Sequence, residues 1–270
     1  MPSARNIGIE NSDYDIIGFL DDDCFPLKNN WIKRAHKWFK HKNRKIIGVA
    51  GPVFNRFTKP ILYNKQKVKK TIGRIRKIFP KIISNFNQTP TKPIIVETLP
   101  GGNMFLKKNF VESYGGFDPQ FDGNHYREET DLCMKLKNNG LLVFDPKLPI
   151  NHLRVDYGCC RVAPTQWYIS VISNTLLLIL KNWGNPIEML SGTSTYFLEL
   201  IYECTKVMED QRYYRIGRYD YLRSIFKGFW GGIKKFFIGS KKLQIKKEMH
   251  SIQKFGKKSA IQDLKGLKAY

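Results

Sequence analysis

The segment IIGFLDDDCFP, residues 16–26, constrains the fold of this 270-residue chain more than any other. A short run of β-branched and apolar residues is typical of a buried strand. Here the run leads directly into three aspartates, Asp21, Asp22 and Asp23. Neighbouring carboxylates repel one another, so the cluster needs a compensating cation or a functional reason. Because open α/β sheets bind ligands at the carboxyl ends of their strands, the segment predicts a polar site at a sheet edge.

Strand and helix patterns alternate through the first part of the chain, which predicts an α/β sheet. Further strands are expected at residues 46–54, 94–99 and 141–144, and helices at 31–41, 109–114 and 127–138. The basic segment 67–81 predicts an insertion with one amphipathic helix. Beyond residue 164 the patterns are helical, at about 166–181, 186–208 and 213–237. These patterns predict an α/β domain over residues 1–161, a helical region over 162–240 and a basic tail over 241–270.

The formal net charge of +23 predicts anionic partners such as nucleotides, nucleic acid or acidic lipid head groups. Nucleic acid is not favoured, because no zinc-finger, RRM or helix-turn-helix pattern accompanies the charge. The five cysteines have no C-x-x-C spacing, which argues against a zinc site and is typical of a cytosolic protein. The longest apolar run, residues 171–180, is too short to span a bilayer. We therefore expect a cytoplasmic protein, either soluble or peripheral on the inner face of the cell membrane.

The aspartate cluster has two interpretations. If the strand geometry continues, Asp21 and Asp23 point to one side and Asp22 to the other. Two carboxylates on one side suit Mg²⁺ or Mn²⁺, which share their coordination shell with substrate phosphates. The alternative is a solvated turn whose aspartates cap the following helix.

A second acidic cluster lies in YREETDLCMKL, residues 126–136. On a helix, Glu128 and Asp131 share a face, whereas Glu129 projects differently. One of these carboxylates could accept a proton from a hydroxyl nucleophile. The alternative is ordinary stabilisation of a helix N-terminus by acidic residues. His152, after the last predicted strand, is either a third metal ligand or a structural histidine.

Four segments together resemble an inverting, family-2-type glycosyltransferase of the GT-A fold over about residues 3–161. They are ARNIGIENSDYDIIGFLDDDCFP, PGGNMFLKKNFVESYGGFDPQF, REETDLCMKL and INHLR. The resemblance implies a Rossmann-like mixed sheet and hexosyl-type transfer from a nucleotide-sugar donor to a glycan or a lipid-linked acceptor. It also implies a Mg²⁺ or Mn²⁺ cofactor. A location at the inner membrane surface would fit transfer to a lipid-linked or cell-envelope polysaccharide.

The resemblance also implies residue roles. Asp21 and Asp23 match the D-x-D motif that holds the metal, and His152 matches a position that completes the metal shell. Glu129 matches the catalytic base, with Asp131 as the second candidate. The residues expected to bind donor or acceptor are Arg5, Asn6, Asp22, Gly101, Gly102, Asn103 and Glu128.

Two further expectations concern the ends of the chain. Family members have an earlier strand and a P-T-Y-N-R-like segment that bind the nucleotide, so the resemblance implies an incomplete GT-A domain here. The alternative hypothesis is a non-catalytic glycosyltransferase-like module that needs a partner chain or acts at a membrane surface. In the helical region, aromatic and basic residues alternate at residues 223–237, which predicts either an interfacial helix on an anionic membrane or a packed helix with a basic face.

Overall fold

The structure, a computed structural model, describes residues 1–40, 45–55, 61–62, 72–76, 81–153, 162–206 and 216–239. The predicted basic tail, 241–270, lies outside these residues. The first half contains the following elements: α1 (Pro2–Glu10), β1 (Ile16–Leu20), β2 (Cys24–Pro26), α2 (Trp31–Phe39), β3 (Ile46–Ala50), β4 (Val53–Asn55), β5 (Ile61–Leu62), β6 (Arg74–Arg76), β7 (Lys81–Ile83), β8 (Gln88–Thr89) and β9 (Ile94–Val96). The second half contains β10 (Asn103–Lys107), α3 (Lys108–Ser113), α4 (Glu128–Leu136), β11 (Leu141–Phe144), β12 (Ile150–His152), α5 (Pro164–Asn182), α6 (Pro186–Lys206) and α7 (218–239).

A five-stranded mixed sheet forms the centre of the α/β part, with the strand order β1-β10-β3-β11-β9. Strand β10 runs antiparallel to β1 and β3, β11 runs parallel to β3, and β9 runs antiparallel to β11. Strand β3 is buried along its whole length, as expected for a central strand with layers on both faces. The predicted α/β class with a mixed sheet is therefore confirmed.

A second, three-stranded sheet carries the end of the aspartate segment. Its order is β2-β12-β4, and His152 of β12 lies opposite Cys24 of β2. This pairing explains how a histidine far along the chain reaches the aspartates. The register of the two strands, rather than sequence proximity, brings the groups together.

The part of the chain from residue 162 onward is helical wherever the structure describes it, as predicted. Helices α5 and α6 share a core of apolar side chains with α7, including Leu176, Leu177, Tyr196, Leu200 and Ile225. Helix α7 packs closely on α5 through glycines. A Cβ at Gly228 would lie 2.7 Å from the Cβ of Ile172, so a larger residue there would separate the helices.

Three local predictions were wrong. The strand expected over 46–54 is two strands, because Gly51 lies against the backbone carbonyl of Leu148 and the chain turns at Gly51 and Pro52. In the helix predicted over 31–41, Ile32 was expected to share the buried face with Ala35, Trp38 and Phe39; in α2 Ile32 is 67% exposed, and the buried positions are Trp31 and Ala35.

The third error concerns the basic segment 67–81, whose described residues are extended rather than helical. Strands β6 and β7 pair as an antiparallel ribbon, with Ile75 opposite Ile82. Ile75 is buried between two arginines, which is the alternation of a strand. Residues 67–71 and 77–80 lie outside the described part of the chain.

Candidate functional site

The three aspartates form a turn rather than an extension of β1. The strand ends at Leu20, and the Cys24 N–H donates a hydrogen bond to the Asp21 carbonyl at 3.0 Å. Because the chain turns here, Asp21 and Asp23 do not share a face as continued strand geometry would require. Asp21 contacts Arg5, Asp23 contacts His152, and Asp22 is exposed between them.

Asp23 and His152 form the pair of side chains best suited to a metal ion. The His152 Nε2 and Asp23 Oδ2 atoms are 3.0 Å apart, and the Cys24 thiol completes a group whose ligand atoms lie within 4.8 Å of one another. Burial, with the Asp21 and Asp23 charges beside it, raises the pKa of the Cys24 thiol to about 12 in the metal-free protein. The carboxylate and the imidazole are the ligand types in this group that suit Mn²⁺, whereas a thiolate suits softer metals. Asp21 lies outside this group.

Arg5 of α1 joins the aspartate turn to α4. Its Nη2 lies 3.3 Å from the Asp21 Oδ1, and its Nη1 lies 3.1 Å from the Glu128 Oε1. The guanidinium also lies against the rings of Phe19 and Phe117, 5.7 Å and 5.2 Å from their centroids. Two carboxylates and two rings thus fix the orientation of this cation.

Glu128 and Glu129 begin α4 in different environments. Glu128 is 2% exposed, and burial raises its pKa to about 7 although the Arg5 charge opposes the shift. Glu129 is half-buried, and its Oε1 accepts a hydrogen bond from the Thr130 hydroxyl at 3.2 Å. The first carboxylate is enclosed by protein, whereas the second reaches solvent.

Gly101 and Gly102 pass between the aspartate turn and the glutamates. A Cβ at Gly102 would clash with the Asp21 carboxylate. A Cβ at Gly101 would lie 3.2 Å from the Arg5 Nη1 and 3.5 Å from the Glu129 Cβ. Glycine at position 102 thus allows the backbone to approach the Asp21 carboxylate this closely, whereas at position 101 a methyl group would need only a small shift of the Arg5 side chain.

Two predicted ligand-binding asparagines are instead engaged inside the protein. The Asn103 amide donates to the carbonyls of Gly51, Pro52 and Leu148, and its oxygen accepts from the Trp31 indole. Asn6 pairs with both backbone groups of Phe117 at 2.8 Å. The expectation that these side chains contact donor or acceptor is not supported, because both amides are bound by protein.

Asp131 is similarly engaged, between α4 and α5. Its carboxylate is 1% exposed and lies 2.6 Å from the Lys135 Nζ and 3.2 Å from the Lys181 Nζ. The Asn182 amide donates to it at 2.8 Å. Burial alone would raise the pKa of Asp131, but the two lysines outweigh burial and lower the pKa. Such a carboxylate is poorly placed to accept a proton.

Arg127 is a residue that the sequence patterns did not single out. It precedes the two glutamates, has a φ of 76° and is 9% exposed. Its guanidinium lies 4.3 Å from the centroid of the Tyr126 ring. Its burial depends on how the helices pack around it, so no local pattern indicates it.

Residues 1–115 match the family model described as Glycosyl transferase family 2. This match confirms the predicted resemblance for the segment that carries the aspartate turn and the glycine pair. A comparison with curated proteins gave no match.

Solved structures similar to the chain include three with low sequence identity. GalNAc-T7 with UDP, GalNAc and Mn²⁺ has a TM-score of 0.43 and 15% identity, over 76% of this chain and 44% of that chain. The mannosyltransferase PcManGT from Pyrobaculum calidifontis, in complex with GDP-Man and Mn²⁺, has a TM-score of 0.44 and 11% identity, over 85% and 66% of the two chains. A197 from STIV has a TM-score of 0.34 and 18% identity, over 57% and 68%. The chain thus spans less than half of the first structure and 66% of the second.

Proposed function

We propose that the protein is a glycosyltransferase that moves a hexosyl group, with inversion, from a nucleotide-sugar donor to a hydroxyl of a glycan or lipid-linked acceptor. The observation that carries the proposal is the convergence of Asp23 with His152, and of Asp21 with Arg5 and Glu128, around the Gly101–Gly102 backbone. Arg5, Asp21, Asp23 and the glycine pair lie in the segment that matches the family model, residues 1–115, whereas Glu128, Glu129 and His152 lie beyond it.

On the donor side, Asp23 and His152 would hold Mg²⁺ or Mn²⁺. When bound, the ion supplies charge stabilisation for the departing diphosphate. Arg5 supports the same step, because its two carboxylate partners hold the guanidinium in place before substrate arrives. Preorganised cations of this kind stabilise developing negative charge without reorganisation during the reaction.

On the acceptor side, Glu129 is the proposed base. The acceptor hydroxyl oxygen attacks the anomeric carbon, the bond from that carbon to the diphosphate oxygen breaks, and the hydroxyl proton passes to the Glu129 carboxylate. Glu129 is partly exposed beside Gly101, where a hydroxyl can reach it. Glu128 is the second candidate because a pKa near 7 suits base catalysis, but its buried carboxylate holds Arg5.

Paired variants test this assignment. We expect Glu129→Gln to retain donor binding and to lose transfer by about 10²–10⁴-fold, since the variant cannot accept the proton. Glu112→Gln, at an exposed position on α3, is the matched control and should transfer at the normal rate. Near-normal turnover by Glu129→Gln, together with loss of turnover in Glu128→Gln, would assign the base to Glu128.

The alternative function is a non-catalytic module with a partner chain. The pairing of Asp21 with Arg5 favours it, because an aspartate neutralised by arginine is not placed beside Asp23 as a second ligand. The same assays separate the two functions. A catalyst transfers sugar when given donor and acceptor, whereas a module binds donor or partner without turnover.

We also propose that the protein works at the inner face of the cell membrane, as a peripheral protein that contributes to envelope polysaccharide. No helix in the described residues is long and apolar enough to cross a bilayer. Helix α7 nevertheless exposes an aromatic stripe, spaced by seven, four and seven residues: Tyr219 78%, Phe226 62%, Trp230 71% and Phe237 66%. Exposed basic residues flank the stripe, at Arg223, Lys227 and Lys234.

The aromatic stripe continues onto α6. Phe226 contacts Phe197 of α6 at a ring-centroid distance of 6.3 Å, and α6 has its own exposed apolar side chains: Ile187, Leu190, Leu198 and Tyr202. By contrast, Phe229, Ile233 and Phe236 pack against the helical core and are not part of the exposed surface. An exposed apolar surface edged by cations is suited to an anionic bilayer.

Vesicle sedimentation tests the membrane proposal. We expect the protein to sediment with vesicles rich in phosphatidylserine, less so at high salt, and little with neutral vesicles. The triple variant Phe226→Ser, Trp230→Ser, Phe237→Ser should bind at least about 10-fold more weakly, because the apolar anchors are lost. Tyr14→Ser removes an equally exposed aromatic residue elsewhere and serves as the control. Unchanged binding of the triple variant would exclude this surface.

A further inference from the structure

Arg127 is a buried arginine whose side chain has no counter-charge among the described residues. It is 9% exposed, and its guanidinium makes no hydrogen bond or ion pair to them; its backbone carbonyl accepts the Asp131 N–H at 3.0 Å. Its Nε is shielded from solvent and has no acceptor. Its guanidinium lies 4.3 Å from the centroid of the Tyr126 ring.

Burying the Arg127 charge without a partner lowers the stability of the folded protein. Arginine keeps its charge at all ordinary pH values, and a buried charge lowers stability unless it is paired. The other well-buried arginine of the site, Arg5, is paired with two carboxylates. Of the acidic residues next to Arg127, Glu128 is bound to Arg5 and Asp131 to lysines, and Glu129 accepts a hydrogen bond from the Thr130 hydroxyl rather than from Arg127.

The position of Arg127 connects it with the proposed chemistry. It immediately precedes Glu128 and Glu129, in a loop where His125 and Arg127 have φ values of 58° and 76°. Left-handed backbone at non-glycine residues persists only where surrounding structure holds it, and such positions cluster at functional sites. Burial raises the pKa of Tyr196, and the Arg127 charge is close enough to oppose that shift, which places the guanidinium near α6.

We infer that Arg127 binds a phosphate oxygen of a substrate, at the junction of α4 with the helical region. The inference rests on the proposed transferase function and names a substrate contact for it. Guanidinium groups bind phosphate oxygens in a bidentate manner, and such a ligand supplies the negative charge that Arg127 lacks. The phosphate belongs either to the donor diphosphate or to a lipid-phosphate acceptor, and the two sources share this chemistry.

Thermal unfolding of Arg127→Met, with and without phosphate, tests the inference. Methionine fills a similar volume without charge, and it has the same backbone strain as arginine. Without ligand, the variant should unfold at the same or a higher temperature, because a buried unpaired charge is removed. Added inorganic phosphate should raise the melting temperature of the wild type and have much less effect on the variant. A lower melting temperature with an unchanged phosphate response would overturn the inference and make Arg127 structural.

Calorimetry then distinguishes the two sources of phosphate. The probes are UDP and GDP with Mn²⁺ for the donor, and a short-chain prenyl phosphate for the acceptor. At least a 10-fold loss of affinity in Arg127→Met for one of them identifies the source, and no loss for any of them overturns the inference. Arg218→Met, at an exposed position on α7, is the control and should bind all probes normally.

The Asp23→Asn variant distinguishes failure of the Arg127 inference from failure of the proposed metal site. If Asp23→Asn binds nucleotide normally while Arg127→Met does not, the proposed metal site fails and the Arg127 contact stands. If Asp23→Asn loses nucleotide binding and Arg127→Met binds the nucleotides and the prenyl phosphate normally, the metal site stands and the Arg127 inference fails.

Discussion

Individual residues in this site hold one another in place through paired charges. Arg5 is fixed by Asp21 and Glu128, and His152 is fixed by Asp23. Each pair joins residues that are far apart in the chain, so the site forms only when the fold does. The pairs therefore contribute to stability as well as to the proposed chemistry.

Glu128 should make stability depend on pH in a recognisable way. Its pKa is raised to about 7 in the folded protein, so the folded state binds its proton more tightly than the unfolded chain does. Its stabilising contribution is therefore greatest below the unfolded pKa and is lost as pH rises toward 7 and above. We expect Glu128→Gln to gain stability relative to wild type between about pH 5 and 8. Melting temperatures across that range test this, and a constant difference would contradict it.

Asn103 should be a large contributor to stability despite its position in the G-G-N motif. Replacing it with alanine removes the Asn103 partner of the Gly51 and Leu148 carbonyls and of the Trp31 indole, whereas the Pro52 carbonyl keeps the Ile150 N–H. Because each unsatisfied buried group costs about 1–3 kcal/mol, we expect a loss of at least about 3 kcal/mol in the free energy of unfolding. Urea denaturation measures this loss, with Asn138→Ala at an exposed position as the control. A loss under about 1 kcal/mol would contradict the assigned role.

Among the secondary structure elements, α4 links the site to the helical region. Its first turn carries the two glutamates, and Asp131 in the next turn binds Lys181 and Asn182 of α5. The position of the glutamates thus depends on helix packing outside the segment that matches the family model.

Asp131→Asn should weaken that link. At neutral pH we expect a loss of about 3 kcal/mol in the free energy of unfolding, because a buried ion pair loses one partner. The lowered pKa of Asp131 means that its contribution is present above the unfolded pKa and is lost as pH falls through the folded value. The difference between variant and wild type should therefore shrink in acid. Denaturation at pH 7 and at pH 3 measures it, and an equal difference at both values would contradict the assignment.

Several elements were predictable from local patterns, and others were not. Strands β1 and β11 and the three long helices follow directly from apolar periodicity. The ribbon of β6 and β7 was missed because frequent lysine and arginine suggested an amphipathic helix, whereas the buried Ile75 follows a period of two. The turn at residues 21–24 was only the alternative interpretation of the aspartate cluster, since a strand pattern does not show where its extended geometry stops.

In the candidate site, motif order identified the residues but not their partners. The proximity of Asp23 to His152 was expected, and the structure places them together. The Arg5–Glu128 ion pair and the unpaired Arg127 depend on contacts between distant elements, which no local spacing encodes. The identities of the site residues were therefore predictable from the sequence, whereas the contacts between their side chains were not.

At the scale of the whole molecule, the charge of +23 coexists with a site rich in carboxylates. Acidic residues gather at the aspartate turn and at the start of α4, while exposed cations edge the aromatic surface of α7. This separation suits a protein that binds a metal and a diphosphate at one place and an anionic surface at another. The positive potential of the protein would favour binding of both the diphosphate and the anionic surface.

Calorimetric titration of UDP and GDP into the protein, with Mn²⁺ and with chelator, tests whether Asp23 and His152 form a metal-assisted donor site. We expect one nucleotide to bind in Mn²⁺, chelator to abolish binding, and Asp23→Asn to weaken it at least about 10-fold. Lys147→Gln, a substitution away from the site, should leave binding unchanged. Binding that is equally strong with chelator, or in Asp23→Asn, would contradict a metal-assisted donor site at Asp23 and His152.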